Sequence, residues 1–175
     1  KIESNVLLFY LFESKYCDFS MCLCGFINFN QVIISIVIRK FKMEMPEVKV
    51  YAGIDQYRTS MRAESYSIKR KIQAGADGFF TQPFFDLRFL EIYAELLEGK
   101  EVYWGVSPVL SDKSVNYWET KNNVVFPKNF APTLEWNIDF AQKVLEFVTR
   151  TNSNIYFMPI RTKLADYLSG ILAKK

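Results

Sequence analysis

The chain has 175 residues and half of them are apolar, which is enough for one domain with a substantial core. The formal net charge is +3 and the longest basic run is KRK at 69–71, so we expect no nucleic-acid partner. The sequence contains no histidine, which excludes imidazole metal sites and catalytic triads built on His.

Residues 1–45 form an atypical N-terminal segment. Its apolar runs NVLLFYLF and QVIISIVI are each much shorter than the roughly 20 residues of a membrane span, and no signal-peptide cleavage pattern follows, so we expect no membrane partner. A helix is predicted at 29–45 with one apolar face packed on a sheet, and NVLLFYLF would add a buried strand alongside. That helix face comprises Val32, Ile33, Ile36, Val37 and Phe41.

The three cysteines, Cys17, Cys22 and Cys24, lie in the same segment. With no further Cys and no His they do not make a zinc site, and free thiols in a reducing compartment are expected, which predicts a cytoplasmic protein. The segment has no initiator Met. We therefore expect either that the chain begins inside a longer one or that these residues are atypical sequence. The alternative to the packed helix is a loosely ordered segment.

From residue 46 onward, strand and helix patterns alternate. Strands are predicted at 48–54, 78–82, 101–106 and 154–160, and helices at 60–74, 87–99, 133–150 and from about 163 to the end. A long loop is predicted at 107–132. This alternation predicts an α/β fold with parallel strands, either half of a (βα)8 TIM-type barrel or a small doubly wound sheet. Neither GxGxxG nor a P-loop occurs, which weakens the doubly wound alternative.

Polar residues follow each predicted strand. Asp55, Gln82, Ser107 and Arg161 stand at the four strand ends, and in a parallel sheet these ends share one rim. Two interpretations remain open, because loops begin with polar residues in any case. The rim is either a functional site or an ordinary set of loop starts.

Two further features allow a structural or a functional interpretation. Glu64, Ser67 and Lys71 fall on one stripe of the helix at 60–74, which is either a solvated, salt-bridged face or a ligand-facing one. In the long loop, Tyr117 and Trp118 offer flat surfaces for a ligand, or Trp118 merely anchors the loop.

Three motifs, taken in order, resemble one known family. The run IKRKIQAGADGFFTQPFFD at 68–86 is similar to the sixth-strand region of methylenetetrahydrofolate reductases, which are FAD-dependent (βα)8 enzymes of one-carbon metabolism. WGVSPVLS at 104–111 and IYFMPIR at 155–161 are similar to the family's next motifs in the same order. The resemblance covers Val48 to Leu172 and implies that residues 46–175 are the C-terminal part of a (βα)8 TIM-type barrel like that of the family.

The resemblance implies roles for individual residues. The family's pterin-binding glutamine falls on Gln82, its substrate-side arginine on Arg161, and its stacking loop aromatic on or beside Trp118. A neutral amide suits the amide-like edge of a pterin. The family's FAD contacts fall on Glu64, Ser67, Arg70, Lys71 and Ala76.

The implied activity is FAD-dependent reduction of 5,10-methylenetetrahydrofolate to 5-methyltetrahydrofolate with NAD(P)H, in methionine biosynthesis. The catalytic residues are unknown, because the family's glutamate and aspartate lie on strands with no counterpart in residues 1–45. The sequence allows a homo-oligomer. There are two alternatives. The chain is either a non-catalytic fragment or folate- or flavin-binding barrel half, or it is a relative of the family with another substrate.

Overall fold

The computed structural model describes residues 6–8, 22–23, 31–160 and 163–173, which form an α/β fold around one parallel sheet. In chain order the elements are β1 (Val6–Leu8), β2 (Cys22–Leu23), α1 (Gln31–Glu44), β3 (Tyr51–Ile54), α2 (Met61–Gln73), β4 (Gly78–Pro83), α3 (Leu87–Leu96), β5 (Glu101–Val106), α4 (Asp112–Asn122), α5 (Leu134–Thr151), β6 (Asn154–Phe157) and α6 (Leu164–Ala173). Among these ranges, no helix has both the length and the apolar character needed to cross a membrane.

The strands lie in the order β1-β6-β5-β4-β3-β2, and every neighbouring pair is parallel. The four strands predicted after residue 46 are confirmed as β3 to β6, each joined to the next by at least one helix. The strand predicted in NVLLFYLF is present as β1, at the β6 edge of the sheet. β2, at the opposite edge, was not predicted, because two residues are too few to show an alternating pattern.

Side-chain caps mark where the helices begin and end. Ser60 Oγ accepts from the Ala63 amide at the start of α2, as Thr133 Oγ1 does from Trp136 at α5. Gly75 has a φ of 104° directly after the α2 C-cap, a conformation that favours glycine at the end of a helix.

Helix α4 lies within the segment 107–132, which was expected to be a loop without structure of its own; that prediction is wrong. Ser111 Oγ caps the helix by accepting from the Ser114 amide at 3.2 Å, and Asn123 ends it with a φ of 54°. Trp118 is the one buried residue of α4. The helix therefore has no apolar stripe from which its period could be read.

Helix α1 confirms the helix predicted at 29–45 but packs through a different face. Ile38 is fully buried, and Ile34 and Phe41 pack against the same core. Ile33 and Ile36, which were expected to be buried, are 43% and 61% exposed. The reason is that the run VIISIVI is apolar on all sides of a helix, so its pattern does not select the buried face.

The two faces of the sheet differ in character. One face carries a mainly aliphatic core against the helices, which includes Ala52, Ile54, Phe79, Val102, Trp104, Val106, Ile155 and Phe157. The other carries an aromatic layer in which the Phe80 and Tyr103 rings stack at 4.4 Å and Tyr51 and Tyr156 meet Phe80 edge-on. A side chain at Gly78 would come within 2.7 Å of the Tyr51 ring, so this layer requires glycine there.

Candidate functional site

The described ends of β3, β4 and β5 bring predicted polar residues to one rim of the sheet. Asp55 directly follows β3, Gln82 is the second-last residue of β4, and Ser107 directly follows β5. Because these strands pair in parallel, the predicted common rim is confirmed for these three residues. Arg161, the fourth predicted member, lies outside the described residues.

Gln82 differs from the rest of its strand. The other five residues of β4 are buried, whereas Gln82 is half-buried. Within the part of the chain that the structure describes, its side-chain amide makes no hydrogen bond. Neither the donor nor the acceptor of this amide thus has a partner among the described residues.

The backbone beneath Gln82 is held by side chains from the end of β3. Gln56 is 3% exposed, and its Nε2 donates to the Gln82 carbonyl at 2.8 Å and to the Pro83 carbonyl at 3.3 Å. The Tyr57 hydroxyl donates to the same Pro83 carbonyl at 3.1 Å. Burial raises the pKa of Tyr57, so this hydroxyl stays protonated and keeps donating. Neither residue was singled out for this role from the sequence, where the one available signal was a polar pair directly after a strand.

The remaining rim contacts join β5 to its neighbours. Ser107 is buried, and its Oγ donates to the Met158 carbonyl at 2.8 Å, just beyond β6. The Asn137 amide from α5 exchanges two hydrogen bonds of 3.0 Å with the backbone of Val109. Ser107 thus has a structural partner and does not present a free hydroxyl to a ligand.

A second hydrophobic cluster lies beside this rim, built from Phe85, Val109, Trp118, Val124 and Met158. The Trp118 indole is 4% exposed and meets the Phe85 ring edge-on at 5.4 Å. This arrangement matches the anchoring interpretation, because the indole packs into the cluster and is not free to stack on a ligand. Its neighbour Tyr117 is 49% exposed.

The stripe on α2 is buried, so the solvated-face interpretation is wrong. The Glu64 and Lys71 side chains are 1% and 2% exposed, and Glu64 Oε1 lies 3.6 Å from Lys71 Nζ. Lys71 Nζ also donates to the Gly53 carbonyl of β3 at 2.8 Å. Burial raises the pKa of Glu64 and lowers the pKa of Lys71, and in each case the charge of the partner opposes the shift.

Four of the five residues that the resemblance assigns to FAD are buried and do not fit direct contacts with the cofactor in this arrangement. Ser67 and Ala76 are buried like Glu64 and Lys71, and the Lys71 ammonium already has two protein partners. Arg70, the fifth of these residues, is exposed, so its assignment to FAD stays a prediction. A phosphate could reach Lys71 only if the pair with Glu64 opened.

The carboxylates beside the rim are engaged in local structure. Asp55 Oδ2 lies 2.9 Å from Arg58 Nε, and Asp86 caps α3 while pairing with Arg88 at 2.9 Å. The hydrogen bond from Arg88 lowers the pKa of Asp86, which keeps it ionised and makes it a poor proton donor. Among the described residues, no group of three or more His, Cys, Asp or Glu is arranged to hold a metal ion. The described rim therefore combines one half-buried amide, Gln82, with carboxylates that pair with arginines.

No protein-family model matches the chain, and no curated protein does. The structure is similar to that of 2,3-dimethylmalate lyase, a PEP mutase/isocitrate lyase superfamily member, with a TM-score of 0.40 and 13% sequence identity. The match covers 81% of this chain and 51% of that one, so the chain spans about half the length of that structure. A likeness of this degree says nothing about activity.

Proposed function

We propose that the chain is the C-terminal part of a (βα)8-type barrel that reduces 5,10-methylenetetrahydrofolate to 5-methyltetrahydrofolate with NAD(P)H. The observation that carries the proposal is the position of Gln82. The run IKRKIQAGADGFFTQPFFD extends from α2 through β4 to the start of α3, and Gln82 is its half-buried amide at the carboxyl end of a parallel strand. Ligands of open and closed α/β sheets bind at that end.

Gln82 would recognise the pterin ring of the folate. The amide can donate and accept at once, which matches the adjacent donor and acceptor atoms of a pterin edge. A neutral residue also avoids the desolvation cost that an unpaired charge would add in a half-buried position. Gln82 would thus bind and orient the substrate without exchanging a proton with it.

FAD, when bound, would supply the hydride chemistry of this reduction, and the exposed Arg70 is the assigned residue that could contact it. Because Glu64, Ser67, Lys71 and Ala76 are buried, we give them no contact with the cofactor, and we assign Lys71 and its partner Glu64 to the support of β3. Folate metabolism of this kind is consistent with the cytoplasmic location expected from the free thiols.

A second candidate function is folate or flavin binding without catalysis. The engaged carboxylates favour it: Asp55 and Asp86 are held by Arg58 and Arg88, and neither is placed to act as a proton donor. A barrel half that binds ligand and lacks the acid would have this composition at its rim.

Flavin content separates the two candidates. The full-length protein is purified with FAD supplied, and its absorption is followed while NADH or NADPH is added without oxygen. The reductase predicts a bound flavin band that bleaches with reduced nicotinamide. If a bound flavin does not bleach, or no flavin binds while 5-methyltetrahydrofolate does, the non-catalytic candidate is supported and the reductase is rejected.

A further inference from the structure

The end of β4 contains an irregularity that bears on how Gln82 is aimed. Phe80 lies opposite Tyr103 and Pro83 lies opposite Gly105, so three steps along β4 match two along β5. One extra residue is therefore accommodated at Thr81–Gln82, as in a β-bulge. Bulges redirect a side chain and take carbonyl groups out of the regular ladder.

Side chains donate hydrogen bonds to the consecutive carbonyl groups of this bulge. The Tyr156 hydroxyl donates to the Thr81 carbonyl at 2.5 Å, and Gln56 Nε2 donates to the Gln82 carbonyl at 2.8 Å. The Pro83 carbonyl accepts from both Gln56 and Tyr57. Three consecutive carbonyls are thus fixed by side chains from β6 and from the end of β3.

Gln56 is the central member of this set. Its amide orientation is defined, because only the NH2 group can face two carbonyl oxygens. Its Oε1 is buried and has no hydrogen-bond partner among the described residues. Its Nε2 donates the two hydrogen bonds to β4. The amide also lies close to the Tyr57 hydroxyl, which donates to the same Pro83 carbonyl, so the two side chains hold the bulge together.

We propose that Gln56 is a positioning residue that fixes the bulge and thereby aims the Gln82 amide at the folate. The identity of the ligand rests on the proposed function. The effect of Gln56 on Gln82 rests on the geometry of the bulge. Gln56 does not touch the ligand. It acts through the backbone of Gln82, so the effect of changing it depends on whether the Gln82 side chain is present.

A double-mutant cycle tests this coupling. Gln56→Glu keeps the shape of the side chain but removes the donor, and it places a carboxylate oxygen next to the carbonyl oxygens. Gln82→Ala removes the amide that Gln56 would position. The affinity for 5-methyltetrahydrofolate is measured by tryptophan fluorescence. Each single variant should bind about tenfold more weakly than the unmodified chain, and the double variant should be within about twofold of Gln82→Ala. Gln73→Glu, the same change at an exposed glutamine, should bind like the unmodified chain.

Because a buried carboxylate can unfold the chain, Gln56→Met is made as well; it has a similar length, no donor and no charge. Losses that multiply in the double variants, or an unchanged affinity of folded Gln56→Met, would overturn the positioning role.

If the unmodified chain does not bind 5-methyltetrahydrofolate, the proposed function fails. The coupling between Gln56 and the Gln82 side chain is then measured without ligand. The side-chain amide of Gln82 is followed by 15N NMR relaxation. It should be ordered in the unmodified chain and in Gln73→Glu, and mobile in Gln56→Met. Equal order in all three would refute the positioning role.

Discussion

At Lys71 a basic residue expected to meet a phosphate lies instead beneath the end of β3. Its ammonium donates to the Gly53 carbonyl and faces the Glu64 carboxylate, with both side chains almost fully buried. Such a pair contributes little net stability compared with apolar residues of the same size, but leaving one member alone is costly. The pair is therefore a structural support for β3, and its test is a measurement of stability.

Lys71→Met should lower the free energy of unfolding by about 3 kcal/mol, because it leaves Glu64 buried without its cation. Lys71→Met combined with Glu64→Gln should recover more than half of that loss. Urea unfolding gives these values, and Lys69→Met, at an exposed lysine of the same helix, should stay within about 0.5 kcal/mol of the unmodified chain.

The loss should depend on pH with a definite sign. Burial raises the pKa of Glu64, and without Lys71 the opposing charge is gone, so the folded state holds the proton more tightly than the unfolded state does. Stability from a raised pKa is present at low pH and is lost as pH rises through the folded pKa. Lys71→Met should thus be relatively more stable near about pH 5 than near about pH 8. Full stability with a selective loss of FAD affinity would instead identify a direct cofactor contact.

At the scale of elements, helices α1 and α4 show where sequence patterns stop being informative. The four β-strands after residue 46 were predictable because each is a short apolar run bounded by turn residues, and α5 because its apolar residues recur at the helical period. α4 has Trp118 as its one buried residue, and the run VIISIVI in the first half of α1 places apolar residues on all sides of the helix. In both helices the missing information is which side faces the core, and tertiary packing alone decides that.

The packing of α1 leads to a direct comparison between two isoleucines. Ile38→Ala should cost about 2–5 kcal/mol of unfolding free energy, because Ile38 is fully buried in the main core. Ile36→Ala, at a side chain 61% exposed, should cost less than about 0.5 kcal/mol. Equal costs measured by urea unfolding would show that α1 is not docked in this orientation. Hydrogen exchange should also protect the amides within α1 to a degree close to those of β4.

The role of α4 is tested at its buried aromatic residue. Trp118→Ala should cost about 3–5 kcal/mol, because it removes the indole from the cluster with Phe85 and Val109. Tyr117→Ala, at the exposed neighbour, is the matched control and should change stability by less than about 1 kcal/mol. A Trp118→Ala variant with normal stability and weakened folate binding would restore the stacking role.

At the scale of the whole molecule, the arrangement of the sheet was the feature most readily predicted from the sequence. Alternating strands and helices require parallel pairing, and parallel pairing brings Asp55, Gln82 and Ser107 to one rim. The hydrogen bonding and burial of each side chain at that rim could not be predicted in the same way. Whether Gln82 is free, Ser107 bonded or Lys71 buried depends on a bulge, a carbonyl and a neighbouring helix, which no local pattern encodes.

The central claim is that Gln82 recognises the folate, and the two half-reactions test it most directly. Flavin reduction by NAD(P)H and flavin reoxidation by 5,10-methylenetetrahydrofolate are measured separately by anaerobic stopped flow on the flavin-loaded protein, with Gln82→Ala compared against Gln73→Ala. We predict that Gln82→Ala slows reoxidation by folate at least about tenfold, a loss of one to two hydrogen bonds, and changes flavin reduction less than about twofold. Equal losses in both half-reactions, or none in either, would contradict the account.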